Sequence, residues 1–206
     1  MNLRNVDTSL QSISSEFIKL EEKREIILKE TRDVTRICRN AIGNIHSGDL
    51  DSTKTRLIEA NSILIQLRKT DSKLHRYLVP PETEYVEAYV LYNIFQGKTI
   101  PSKNFLKVES SSYLLGLNDA MGEVKRLIYD SIRRGDGKRA EKLFNFMESL
   151  YVKLAPYSVY DNLAHGLKKK LDVSRAILES VRAAITEEVR RSEFMNAVKN
   201  LSEKLP

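Results

Sequence analysis

The sequence predicts an all-α protein, an antiparallel bundle of about six or seven helices, several of them long. Three observations predict it. Apolar residues recur at spacings of three, four and seven over long stretches, the period of one helix face. Gly and Pro are scarce, 8 and 5 in 206 residues, so few turn signals break the elements. Hydrophobic residues make up 41% of the chain and charged residues 30%, the composition of a packed core under a heavily charged surface.

The first helix is read over 8–46, with Asp7 or Thr8 at its cap. Leu10, Ile13, Phe17, Leu20, Ile27, Val34, Cys38, Ala41 and Ile45 form its stripe, and Gly48 suits the left-handed turn that ends it. Asp51 or Ser52 caps a second helix to about Lys69, buried through Leu57, Ile58, Ala60, Ile63, Leu64 and Leu67. A short helical stretch, 71–78, leads to Pro80-Pro81, and the second proline fits the first position of a third helix over 81–96. That helix is rich in aromatic and branched residues, a strand-like composition, but Val86, Tyr89, Val90 and Ile94 keep helical spacing. Gly97 stops it, and 97–110 is the one sizeable loop. A fourth helix runs from Ser110 or Ser111 to Arg134, ending at Gly135-Asp136-Gly137, and a fifth covers 137–154. The last, 159–204, is long and charged. No repeat or linker divides the chain, so 1–206 reads as a single helical domain. Helices of about 40 residues extend roughly 60 Å at 1.5 Å per residue, longer than a compact domain of this size. Part of their apolar surface is therefore expected to be covered by other subunits.

The net charge is +6 and the isoelectric point about 9.3, a balance that favours anionic partners such as nucleic acid or an acidic membrane surface. Lysines and arginines on solvated helix faces give the same arithmetic. The lone Cys38 excludes an internal disulfide and a multi-thiolate metal site, and reads as packing. No apolar run approaches the ~20 residues of a membrane span, and no signal-peptide pattern opens the chain, so a cytoplasmic location is expected.

The residues that could carry chemistry are two carboxylate pairs. Glu84 and Glu87 share a face of the third helix, and Asp119 and Glu123 share a face of the fourth. Acidic pairs at these spacings are common on solvated helices, but these sit in apolar sequence, with no Lys or Arg between Arg76 and Lys98. Brought together by antiparallel neighbours, four carboxylates repel one another unless a cation lies among them. An all-oxygen donor set suits Mg²⁺ or Mn²⁺. The basic residues are spread out. Lys23, Arg24, Arg32, Arg36 and Arg39 lie on the first helix, and Arg133-Arg134 and Lys168-Lys169-Lys170 lie elsewhere. His46, His75 and His165 read as core or capping residues, and Tyr85, Tyr89 and Tyr92 as core rather than base-stacking platforms.

EYVEA at 84–88 and SSYLLGLNDAMGEVKRL at 111–127 resemble the signature of the translin/TRAX family, whose second motif reads D-Y-L-L-G-x-x-D-x-x-G-E-x-x-R. Tyr113, Leu114, Leu115, Gly116, Asp119, Gly122, Glu123 and Arg126 match it, while Ser112 stands where the motif begins with Asp. Arg32-Asp33-Val34-Thr35 and His46 on the first helix also fit. The resemblance implies a translin-like helical fold and an RNA-enclosing homo-oligomer, an octamer in the simplest case. It implies a TRAX-like, Mg²⁺-dependent (or Mn²⁺-dependent) endoribonuclease acting on single-stranded RNA, similar to short archaeal homologues. Glu84, Glu87, Asp119 and Glu123 fall on the positions of the family's catalytic, metal-holding acids. Lys23, Arg24, Arg32, Arg36 and Arg126 are the candidates to hold the RNA backbone. The alternative is a non-catalytic protein of the translin type that binds single-stranded RNA or DNA, and a third reading is a structural scaffold.

Overall fold

The computed structural model describes residues 3–70 and 72–203, and within them every regular element is helical. The α-helices are α1 (Arg4–Ser47), α2 (Leu50–Leu67), α3 (Val79–Phe95), α4 (Lys103–Leu106), α5 (Ser110–Arg133), α6 (Gly137–Leu154) and α7 (Leu167–Ser202). Two 3₁₀ segments, Ser72–Leu78 and Ala155–Tyr160, precede α3 and α7.

The elements follow the sequence pattern, with differences that have local causes. α1 starts at Arg4, with Leu3 at the cap position and no side-chain cap; Asp7 lies inside the first turn, where its charge faces the helix dipole, and Thr8 Oγ1 donates back to the Arg4 carbonyl at 3.0 Å. Gly48 ends α1 at φ 84°, as its sequence position predicted. The chain then reverses in two residues, so Asp49, not Asp51 or Ser52, reaches the capping position: its carboxylate accepts from the Ser52 N–H at 3.0 Å. α2 closes at Leu67, short of Lys69. α3 begins at Val79, so both prolines sit in its first turn, where no N–H donor is required. The connection expected to be one loop holds α4, capped by Ser102 Oγ, which accepts from the Phe105 N–H at 3.1 Å. It is pinned to the core by Leu106 and Val108. The last helix begins at Leu167 rather than 159, because Gly166 takes φ 87° and Leu163 faces solvent. Residue 204, its expected end, and residue 71, the expected start of the short helical stretch, lie outside the described residues.

Helices consecutive in the chain pair antiparallel: α1 with α2 and α5 with α6 across tight turns, and α6 with α7 across the longer connection 155–166, where Arg182 meets Glu148 and Gly137 lies beside Glu188. The two halves, α1–α3 and α5–α7, meet along α3 and α5. These two central helices run in the same direction, where the sequence reading expected antiparallel neighbours to bring the acid pairs together; the long connection through α4 is what reverses the chain between them. Glu82 accepts from the Glu109 N–H, Val86 lies against Gly116, and Glu87 faces Asp119 and Glu123, so the partners advance together in both chains. The two helices approach closely. A Cβ on Gly116 would lie 2.6 Å from Val86 Cβ and 2.7 Å from the Thr83 carbonyl oxygen. A buried ion pair also supports α3: Arg68 Nε donates to Glu82 at 2.8 Å, with Glu82 only 2% exposed.

One cluster of buried apolar side chains runs through both halves. It does not cover the long helices completely. Upstream of Ile27 no residue of α1 is buried, and Leu10, Ile13 and Phe17 of its apolar stripe are exposed. The far end of α7 likewise exposes Phe194, Met195, Val198 and Leu201.

Because backbone and a branched side chain meet Gly116, Gly116→Ala should destabilise the fold by about 1–3 kcal/mol through overpacking. Urea unfolding checks this; a midpoint equal to wild type would mean that α3 and α5 are not packed this closely.

Candidate functional site

The parallel α3–α5 contact determines where the four acids go. Gly116 packs on the turn of α3 that carries Thr83 and Val86, and the flanking positions place Glu84 and Glu87 beside Asp119, one turn before Glu123. Glu84, Glu87 and Asp119 line one cleft of about 620 Å³, with Gly122 in its wall and Lys169 and Lys170 arriving from α7. Glu123 stands beside it and turns toward α1.

The electrostatics report the convergence. Burial, and then the charges of Asp119, Glu84 and Glu123, push the Glu87 carboxyl up to about 8. The other three acids each have a protein donor. Arg39 Nη2 donates to Glu84 Oε1 at 3.0 Å. His46 Nε2 donates to Glu123 Oε2 at 2.5 Å, a bond that holds the Glu123 carboxyl below its ordinary value. Lys170 Nζ bonds Asp119 Oδ1. Cys38 is fully buried behind the acids, and burial followed by the charges of Glu84 and Glu87 pushes its thiol up, so it packs as a neutral group, as read from the sequence.

Four carboxylates on two helices are an oxygen donor set of the kind that takes Mg²⁺ or Mn²⁺. Among the described residues, no three His, Cys, Asp or Glu side chains are disposed about a common point as ligands. The reason is visible: Glu84, Asp119 and Glu123 are each turned to a protein donor. The donor chemistry fits a divalent ion, and Glu84, Glu87, Asp119 and Glu123 are the residues that would hold it, once released from those partners.

The predicted phosphate-binding residues divide. Arg32 and Arg36 line a groove of about 520 Å³ between α1 and the start of α3, with Arg39, Arg76 and Tyr77. Arg24 borders it, donating to Tyr77 Oη at 3.0 Å. Arg36 is held by Asp33 at 3.0 Å. Arg126 lies away from this groove, exposed on α5, 3.9 Å from Glu123. Lys23 is exposed on α1, one turn before the first buried residue. Arg39 joins the two regions, lining the basic groove while bonding Glu84 of the acidic cleft.

Three residues of the site were not selected from sequence: Arg39, His46 and Lys170. His46, expected in a core or capping role, contacts the acid cluster directly. Lys170 lies 51 positions from Asp119, and no local pattern could have joined them. Ser112 is buried, and its hydroxyl has no hydrogen-bond partner among the described residues, so the motif's leading position contributes no charge here. Tyr85 is buried, while Tyr89 and Tyr92 pack edge-to-face and line a separate groove of about 790 Å³ with Phe105. His75 Nε2 approaches the Thr70 carbonyl at 3.3 Å, and His165 is exposed.

Comparison with known proteins identifies the family and the fold. The profile of the Translin family matches residues 83–185, which include all four acids. An uncharacterized protein of Methanocaldococcus jannaschii is 34% identical over 182 residues, spanning 86% of this chain and 82% of its own. The crystal structure of AfC3PO has a TM-score of 0.81 at 28% identity, covering 89% of this chain and 98% of that one. A complex of AfC3PO with duplex RNA gives 0.79 at 26%, covering 89% and 97%. Apo-NeC3PO gives 0.75 at 27%, covering 87% and 96%. The chain belongs to the translin family.

The raised Glu87 carboxyl predicts a pH effect of definite sign. Between 4.5 and about 8 the folded protein holds a proton that the unfolded chain releases, so this group's contribution to stability falls as pH rises across that window and is constant above it. In chelator, Glu87→Gln should lack that slope. The stability of Glu87→Gln relative to wild type should therefore grow from pH 5 to pH 8.5 in urea titrations, and a constant difference would refute the shift.

Proposed function

Taking membership of the translin family as given, we propose that this chain is a TRAX-like, metal-dependent endoribonuclease. The observation that carries the reading is the convergence of Glu84, Glu87, Asp119 and Glu123 from two adjacent helices, with an arginine-lined groove joined to them through Arg39. A divalent cation, Mg²⁺ or Mn²⁺, would supply Lewis-acid activation of the scissile phosphate and of water. The protein's own residues do the rest. The acids supply its ligands, the apolar packing behind them keeps Glu87 out of bulk water, and Arg32, Arg36 and Arg76 hold backbone phosphates in the groove. Arg24, Lys23 and Arg126 extend the positive surface on either side.

Single-stranded RNA is the substrate the family resemblance implies. The similar AfC3PO has been seen with duplex RNA, so both forms belong in the assay. The apolar stripes left open on α1 upstream of Ile27 and on the far end of α7 support a homo-oligomer, for which an octamer is the proposed count. No helix among the described residues is long and apolar enough to cross a membrane, and a cytoplasmic location is proposed with that.

A second reading has its own observation. Glu84, Glu123 and Asp119 are already paired with Arg39, His46 and Lys170, the state of a site that binds single-stranded RNA or DNA without cutting it. Metal dependence separates the two. The nuclease cleaves labelled RNA in Mg²⁺ or Mn²⁺ and stops in EDTA while still binding; the binding protein never cleaves.

Glu123→Gln retains a partner for His46, so it should fold normally and lose at least about a hundredfold in cleavage rate, the scale of removing a group aimed at developing charge. Undiminished Mg²⁺-dependent cleavage by that variant would defeat the assignment. Arg32→Ala with Arg36→Ala should weaken binding to all sequences alike and reduce the salt slope for a single strand by about 1.4, at roughly 0.7 for each lost phosphate contact. An unaltered slope would place the RNA elsewhere.

A further inference from the structure

The donors around the acid cleft are not equivalent. Arg39 and His46 approach Glu84 and Glu123 from α1, outside the cleft lining, whereas Lys170 enters the cleft itself from α7. Its base is fixed. One turn further along α7, buried Ser174 Oγ donates to Asn118 Oδ1 at 3.2 Å, and the Asn118 amide donates to the Leu114 carbonyl at 2.9 Å. That buried polar contact holds the register of α7 against α5 and places Lys170 over Asp119, the residue after Asn118. Its tip is not fixed. The side chain is 37% exposed, on a flexible four-carbon stem that ends in a compact charge with three donors and no acceptor. Glu87 also feels this charge, which opposes the upward push of its acidic neighbours.

A divalent ion and the Lys170 ammonium cannot use the same Asp119 oxygen at once, and two cations side by side repel. An ammonium displaced from Asp119 stays tethered at the cleft mouth, with no acid assigned to it. A phosphodiester entering the cleft carries one negative charge and the acceptor oxygens that the ammonium has lost.

We propose that Lys170 is a tethered cation of the site: it neutralises Asp119 in the metal-free protein and, once a divalent ion takes that carboxylate, turns to the RNA phosphate as a substrate-contacting residue. The proposal rests on the metal-dependent reading above. It makes the empty cleft self-compensated and couples metal entry to phosphate capture. Competition at Asp119 lowers metal affinity in the absence of RNA, and by linkage a bound phosphate that holds the ammonium away raises it.

The test uses the full chain, stripped of metal, with Mn²⁺ titrated by calorimetry. Lys170→Met should bind Mn²⁺ about tenfold more tightly than wild type, within the usual range of coupling between two sites. Lys170→Arg, which keeps the charge, should stay within about threefold of wild type. Lys142→Met, an exposed lysine on α6 outside the cleft, should leave Mn²⁺ affinity unchanged. At saturating Mn²⁺, Lys170→Met should also lose about tenfold or more in kcat/KM on labelled RNA. Circular dichroism of each variant confirms folding, and the charge-retaining arginine variant provides a measurement if the methionine variant is unstable. Equal or weaker Mn²⁺ binding by Lys170→Met, in a protein whose binding is weakened by Glu87→Gln, would overturn the tethered-cation role and leave the metal site standing. Full cleavage by Lys170→Met would overturn the phosphate contact. Absence of Mn²⁺ binding in wild type and every variant would overturn the metal reading and this proposal with it.

Discussion

The close approach of α3 and α5 at Gly116 is the constraint on which the rest depends. A single missing Cβ lets backbone and Val86 occupy space that any other residue would fill. Because the two helices run in the same direction, residues that advance along one advance along the other, and two short acidic pairs become one cluster. An antiparallel crossing at the same point would bring only one pair near its counterpart. The connection through α4 exists to make the parallel arrangement possible, and Leu106 and Val108 tie it to the core.

The cluster creates an electrostatic problem, and two helices outside it contribute to the solution. α1 supplies Arg39 and His46, α7 supplies Lys170, and the unpaired acid, Glu87, keeps its proton. Like charges this close in a partly dry cleft must be neutralised by protons, by protein cations or by ions from solution. The structure uses the first two. That makes the site stable as it stands and chemically poised, since each neutralising contact is a place where a stronger cation can enter.

Much of this could be read from sequence, and the boundary is physical. Helix periods depend on neighbours a few residues apart, so the long helices and their turns at Gly48, Gly97 and Gly135 were visible. The acids were visible too, because charge in apolar sequence stands out. Their partners were not. Arg39, His46 and Lys170 meet them across distances set by helix direction and register, which local spacing does not encode. Caps were misread by two residues at α2 because Asp49 and Asp51 are equally suited by type, and only the tightness of the turn chooses between them. The stripe of α1 was read as apolar, with part of the long helices' apolar surface left for other subunits, but periodicity could not say that the open part would begin upstream of Ile27.

The length of α1 has a mechanical consequence. It is a 44-residue rod without proline, about 66 Å from end to end at 1.5 Å per residue. One end projects beyond the core with an oily edge, and the other carries Arg39 and His46 against the acids. A rod of this kind acts as a lever. Whatever grips its free end loads the same unbroken helix that seats Arg39 and His46 against the acids, so quaternary contacts and the cleft are joined mechanically through one element.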